Sequence, residues 1–277
     1  MRLLYIVLVL IGAEAASVAV QTSPHSVARD AYFEENRGQT GPGSAFVARS
    51  PQYTVLLQRN GGAVYRFPAS AEGAAPPLTI ELVGQRPPAE VEGEQPMAAV
   101  TNYYRGSLPA AWQSGIPHYG RVRFDGVYPG IDVRWRFRGA HLEYEFLAGA
   151  GADPGQIRVR FTGASRISID AQGNLVLETP AGRIRHGRPM AWQEVGGRRR
   201  NVPIELRLSG ETASFQLGPY DRQRPLRIDP VLSYSSYVGG AGYDAAYAVT
   251  TDGSGGVYDG HDCLHRVSRA GIERQQQ

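Results

Sequence analysis

Glu143 and Glu145 stand two residues apart in the alternating run His141-Leu142-Glu143-Tyr144-Glu145-Phe146. On an extended strand that spacing puts both carboxylates on one face, roughly 6 to 7 Å apart along the chain. Such a separation suits a glycosidase, where one carboxyl serves as acid and the other as base or nucleophile. The preceding segment argues for a different use. Arg134 and Arg136 alternate with Val133, Trp135 and Phe137, and Gly139-Ala140 suits a two-residue type II′ turn with Gly at its first position. That turn sets a register in which Arg136 faces Glu143, Arg134 faces Glu145, Trp135 faces Tyr144 and Val133 faces Phe146. A guanidinium partner keeps a carboxylate ionised, whereas a general acid needs its pKa raised. Arg134, Arg136, Glu143 and Glu145 are therefore expected to form a structural charge ladder on the outer face of a half-buried hairpin, with Arg158 and Arg160 on a neighbouring strand. No catalytic residue is assigned.

Other chemistry-bearing clusters are weaker. His261-Asp262-Cys263-Leu264-His265 offers imidazole and thiolate, which are good zinc ligands, but the spacing is poor for a closed four-ligand site. Asp252-Gly253-Ser254-Gly255-Gly256 lacks the alternating ligands and terminal Glu of a calcium loop and reads as a turn. The chain has no G-x-S-x-G, H-E-x-x-H or G-x-G-x-x-G, and with no lysine it has no P-loop. No metal or cofactor site is predicted. Trp112, Trp135 and Trp192 could stack on sugars, but alternation turns Trp135 inward, and core is the default for such residues.

The elements that would hold these residues are strands. The chain of 277 residues is 42% hydrophobic and 20% charged, enough to bury a core, and its 34 Gly and 19 Pro break helices and favour short strands with many turns. Strand-like runs include 53–57, 63–67, 78–83, 157–161, 166–169, 175–178, 204–208 and 214–217. Gln85 to Ala98, rich in Pro and Glu, reads as an exposed loop. The expected fold class is all-β: antiparallel sandwich-like sheets over residues 31–230, in one or two lobes. A single incomplete propeller-type repeat follows at 231–258, because Tyr243-Asp244-Ala245-Ala246-Tyr247 and Asp252 to Tyr258 read as short strands with Gly and Asp turns. The segment Leu232 to Tyr258 is expected to be poorly protected at an open sheet edge.

Arg2, the apolar run Leu3 to Ile11 and the small residues around Ala15 have the order of a signal peptide over 1–16, followed by a polar flexible lead at 17–30. An uncleaved N-terminal anchor is the alternative. The mature chain is expected to be secreted or at the cell surface, without a membrane span. Cys263 is the single cysteine, which excludes a disulfide scaffold. The formal charge of +3 comes from scattered arginines, and the one cluster, Arg198-Arg199-Arg200, reads as a solvated hairpin tip, so no nucleic-acid partner is expected. Residues 259–277 abandon the β pattern. A frameshift would explain them, since Asp259 to Cys263 read one nucleotide later permits Thr-Gly-Met-Thr-Ala.

Several segments together resemble a family of secreted bacterial proteins in which an N-terminal β domain of unknown function precedes SBBP-type β-propeller repeats. They are Phe33-Glu34-Glu35-Asn36-Arg37-Gly38-Gln39-Thr40, Asn102-Tyr103-Tyr104-Arg105-Gly106 and Tyr119 to Asp132. The likeness continues in Leu142 to Phe146, Gly151-Ala152-Asp153-Pro154 and Pro225 to Tyr234. The resemblance implies no catalytic residues, and this chain departs from the family in lacking the following repeats. The expected function is a non-catalytic exported or cell-surface β module that caps or presents a repeat array, as a truncated product. Its partner would be an extracellular protein or glycan. The alternative is a carbohydrate-binding module or a glycoside hydrolase-like protein.

Overall fold

The structure, a computed structural model, describes residues 31–50, 53–69, 73–138 and 141–229, and the backbone of strands at 232–235, 248–251 and 257–260. The segments read as a signal peptide (1–16), a flexible lead (17–30) and a turn at Gly139-Ala140, together with Asp252 to Gly256 and the His261 to His265 cluster, lie outside the described residues. The regular structure described is almost all strand, with two short 3-10 turns and no α-helix. The first meander is β1 (Phe33–Glu35), β2 (Ser44–Arg49), β3 (Thr54–Gln58), β4 (Ala63–Arg66) and β5 (Leu78–Leu82). A long hairpin follows, β6 (Val91–Tyr103) and β7 (Gln113–Tyr128), then β8 (Ile131–Arg138) and β9 (His141–Ala148). Next come β10 (Arg158–Thr162), β11 (Arg166–Ile169), β12 (Leu175–Thr179), β13 (Gly182–His186), β14 (Met190–Val195) and β15 (Arg198–Val202). The remainder are β16 (Ile204–Ser209), β17 (Thr212–Leu217), β18 (Leu226–Asp229), β19 (Leu232–Ser235), β20 (Ala248–Thr251) and β21 (Val257–Gly260).

Every pairing is antiparallel. The large open sheet runs β15-β14-β18-β9-β8-β7-β1-β2-β3-β4-β5-β10-β17-β16, with β6 against β7; β11-β12-β13-β19 and β20-β21 form smaller sheets. Strand β7 is long enough to carry two neighbours along one edge: Arg121 to Tyr128 pairs with β8, while His118 and Tyr119 pair with β1. The two arms of the sheet diverge there and fold face to face. Trp135 on β8 donates its indole N–H to the Gly61 carbonyl between β3 and β4 at 3.0 Å. Tyr128 donates to the Val83 carbonyl at 3.1 Å, and Phe146 meets Phe215 with ring centroids 6.1 Å apart. One continuous core results, in which Phe33, Tyr65, Phe124, Trp135, Tyr144, Phe146 and Phe161 are sealed from water. Gly61 has φ +87°, and a Cβ there would sit 3.0 Å from a Val127 methyl and 3.1 Å from a Val133 methyl, so glycine is what lets this turn pack against β7 and β8.

The β8–β9 register places Arg136 opposite Glu143, Arg134 opposite Glu145, Trp135 opposite Tyr144 and Val133 opposite Phe146, as alternation and a two-residue turn require. The loop expected over 85–98 is in part a strand. Val91 to Ala98 belongs to β6, because β7 supplies partners for Val91 to Glu94 and for Pro96, and the register irregularity between Pro96 and Val100 accommodates the proline on an edge strand.

Candidate functional site

On the outer face of β8, β9 and β18, Glu143, Glu145 and Asp229 are each only 1% exposed. The ladder is thus not the solvated outer face its alternation suggests: its carboxylates are sealed. Arg136 Nη2 lies 3.2 Å from Glu143 and 2.8 Å from Asp229, while Arg134 reaches Glu145 at 3.3 Å and Glu94 at 2.9 Å. The partners Arg138 and Arg227 are more exposed and more distant, at 3.4 Å from Glu143 and 3.9 Å from Glu145. Among the described residues Glu143 Oε2, Glu145 Oε2 and Asp229 Oδ1 accept no hydrogen bond, although Glu143 Oε2 is the oxygen ion-paired with Arg136 at 3.2 Å. Burial pushes the Asp229 carboxyl up, Arg136 opposes the shift, and Glu143 and Glu145 add to it. Asp229 was not singled out by pattern, since its distance in sequence from the hairpin hides its place in the third strand. Arg158 and Arg160 do not join this cluster. They sit on β10 in the other arm, where Arg160 pairs with Glu81 and Arg158 donates to the Gly155 and Ile157 carbonyls.

A second polar assembly gathers β1, β2, β6 and β7. Glu34, 3% exposed, accepts from Arg49 Nη1 at 2.8 Å, Thr101 Oγ1 at 3.1 Å and the Tyr103 hydroxyl at 2.5 Å. Thr101 Oγ1 is also 2.6 Å from His118 Nε2, and Tyr32 stacks on that imidazole with centroids 3.7 Å apart. A hydroxyl, an imidazole and a carboxylate in contact invite comparison with a nucleophilic triad. The proton count decides against it. A carboxylate only accepts, so the Thr101 proton is committed to Glu34 and His118 Nε2–H must donate to Thr101. The imidazole therefore holds no free lone pair toward the hydroxyl and cannot activate it. Burial, reinforced by the bond to Glu34, raises the Tyr103 phenol to about 12. Burial lowers His118, with Glu34 opposing.

The adjoining loop explains why the Phe33 to Thr40 segment is so specific. Asn36 Nδ2 donates to the Gly41 and Ser44 carbonyls at 2.6 and 2.8 Å, and its Oδ1 accepts from Gly38 and Thr40 N–H. One amide thus closes the whole connection between β1 and β2. Sequence reasoning found the segment but not its partners Arg49, Thr101 and His118, which long-range pairing alone brings together.

His186 on β13 is sealed in the core against Tyr144 and Phe161, with centroids 5.9 and 5.0 Å away. Its Nε2 has no hydrogen-bond partner among the described residues, and burial lowers its pKa to about 3. Trp135 and Trp192 are buried, but Trp112 is 42% exposed beside Tyr104 at the end of the β6–β7 hairpin, contrary to the default of core. Its indole N–H is held by the Gly106 carbonyl at 3.1 Å. Arg198, Arg199 and Arg200 are exposed on β15, with the Arg199 guanidinium 3.8 Å over the Trp192 ring. Among the described residues no group of His, Cys, Asp or Glu has metal-site geometry, and no helix is long and apolar enough to cross a membrane. A family model described as a domain of unknown function, DUF7948, matches residues 33–231. No curated protein and no solved structure matches the chain.

Proposed function

The chain belongs to the DUF7948 family of domains of unknown function, and on that premise we propose that it is a non-catalytic, exported or cell-surface β module that caps or presents a β-propeller-type repeat array. The supporting observation is the strand just beyond the family-matched region. Leu232 to Ser235, at the head of the repeat-like segment, extends the small sheet by pairing Arg183 with Ser235, Ile184 with Tyr234, Arg185 with Ser233 and His186 with Leu232. A strand shared between a module and the segment after it couples the two rigidly through backbone hydrogen bonds. The next strands, β20 and β21, pair with each other, as strands of a separate repeat unit would. A scaffold role also accords with the acids: Glu34, Glu143, Glu145 and Asp229 all face guanidinium or hydroxyl donors.

Hydrogen exchange on the full chain tests this reading. Leu232 to Ser235 pairs with β13 on one side and leaves its other edge open, so, in place of the poor protection expected for the whole of 232–258, the amides of this strand that bond to β13 are expected to be protected; exchange of all of them at the rate of free peptide would remove the junction and the proposal with it. A carbohydrate-binding module is the second reading, favoured by the exposed Tyr104 and Trp112 rings, 5.2 Å apart. It predicts that neutral oligosaccharides shift Trp112 fluorescence, and that Trp112→Ala abolishes the response.

A further inference from the structure

A cleft of about 300 Å³ lies over the open end of β2, β3 and β4, walled on one side by Gln39 and Thr40 from the loop between β1 and β2. Its base is a single cross-strand row. Arg49 pairs in register with Thr54, and Thr54 with Arg66, so all three side chains project on one face with the two arginines flanking the threonine. Two strand spacings separate the arginine backbones, roughly 10 Å. Glu34 on β1, the strand on the far side of β2, holds Arg49 at 2.8 Å, so Arg66 is the cation of this row that lacks an acidic partner among the described residues.

The charges around the cleft are unbalanced. Glu34 neutralises Arg49 at 2.8 Å, and its other partners, Thr101 and Tyr103, are uncharged donors. The Arg66 guanidinium has no hydrogen bond or ion pair among the described residues. Arg105 lies outside the cleft lining, donating to the Gln39 carbonyl at 3.5 Å and lying 5.0 Å over the Tyr103 ring. Glu35 offers no compensation, being paired with Arg37. Phe67 and Leu56 supply an apolar surface within the same cleft, and Thr40, Thr54 and Gln39 supply hydroxyl and amide groups.

We propose that this cleft binds a carboxylate-bearing sugar, a hexuronate or the uronate residue of an acidic glycan. The guanidinium fork matches a carboxylate in plane and charge. Hydroxyl and amide side chains match ring hydroxyls, and the apolar surface matches the C–H face of a pyranose. The volume lies at the lower end for small-molecule sites, which suits one ring rather than a folded partner. This site is separate from the β13–β19 junction, so its failure leaves the scaffold reading standing.

Isothermal titration of the full chain with glucuronate tests the proposal, with glucose as the ring without charge and acetate as the charge without ring. Glucuronate should bind at least tenfold more tightly than either, and Arg66→Gln should weaken it about tenfold or more with an unchanged melting midpoint. Thr54→Val, which keeps both arginines, should weaken glucuronate but not acetate. The proposal falls if glucuronate gives no saturable heat, if acetate binds equally well, or if Arg66→Gln binds as the wild type does.

Discussion

Glu34 and Asp229 are both sealed carboxylates that meet an arginine at 2.8 Å, yet their surroundings are opposite in kind. Around Glu34 three donors serve two oxygens, and one of them, Thr101, is itself served by His118. Around Asp229 three buried carboxylates have Arg134 and Arg136 as their nearest cations, with the more exposed Arg138 and Arg227 farther off, and an oxygen of each goes without a hydrogen bond among the described residues. The first assembly is rich in donors and the second in acceptors. A buried charge is stabilised by its donors and destabilised by like charges, so the same residue type should respond differently to substitution in the two places. The Glu34 assembly is a fastening between four strands. The Asp229 assembly holds unfavourable charge that its arginines only partly offset.

Removing a donor from the acceptor-rich side should cost most. Arg136→Met leaves Glu143 and Asp229 buried without their nearest cation and should lower stability by about 3–5 kcal/mol in denaturant unfolding; a loss below about 1 kcal/mol would mean that solvent reaches both carboxylates. Removing the acceptor from the donor-rich side comes next. Glu34→Gln keeps the shape but replaces a charge with an amide facing three donors, for an expected loss of about 2–3 kcal/mol.

Acid titration of either assembly must be read against His186. Its folded pKa, about 3, lies below the ordinary value near 6.5, so between those values the unfolded chain binds the proton and the folded chain does not. Stability then falls as pH drops below about 6.5, by about 1.4 kcal/mol per unit and roughly 2 kcal/mol by pH 5. His186→Leu should flatten that limb in thermal melts from pH 7 to 5; an unchanged slope would place the acid sensitivity elsewhere.

Thr101→Val removes one of three donors to Glu34 and the acceptor for His118, and should cost about 1–2 kcal/mol. The smallest effect, of opposite sign, belongs to Asp229→Asn. Because the Asp229 carboxyl is raised in the fold, the folded chain keeps that proton to higher pH than the unfolded chain does. Its contribution is present below about pH 3.9 and is lost as pH rises through the folded pKa. Asp229→Asn should therefore match the wild type at low pH and equal or exceed it by up to ~1 kcal/mol at pH 7. A clear destabilisation at pH 7 would show that Asp229 works as Glu34 does, and the contrast between the two assemblies would collapse.

How far each assembly could be read from residues alone follows from chain distance. Arg134, Arg136, Glu143 and Glu145 belong to adjacent strands joined by a tight turn, so period-2 alternation and turn geometry suffice to pair them. Asp229 joins them only because β18 returns to the edge of β9, and no local rule says that it must. Glu34, Arg49, Thr101 and His118 come from four strands spread over 85 residues. The Asn36 loop is local and legible as a specific motif, whereas the use of Glu34 within it is not. Trp112 departs from the core because the β6–β7 hairpin extends past its neighbours, and Gln85 to Ala98 reads as a loop until β7 is there to pair with it.

Alternation, glycine and proline placement, and the absence of long apolar periodicity at 3.6 residues were enough to require antiparallel β structure and the β8–β9 register, because these depend on contacts between residues near in sequence. Burial of the ladder, convergence of the Glu34 donors and the placing of Arg49 and Arg66 about one threonine were decided by tertiary structure. Each depends on which strands become neighbours when the two arms of the sheet close over a shared core, and that choice is made by the packing of Trp135, Tyr128 and Phe146 against the opposite arm rather than by any single segment.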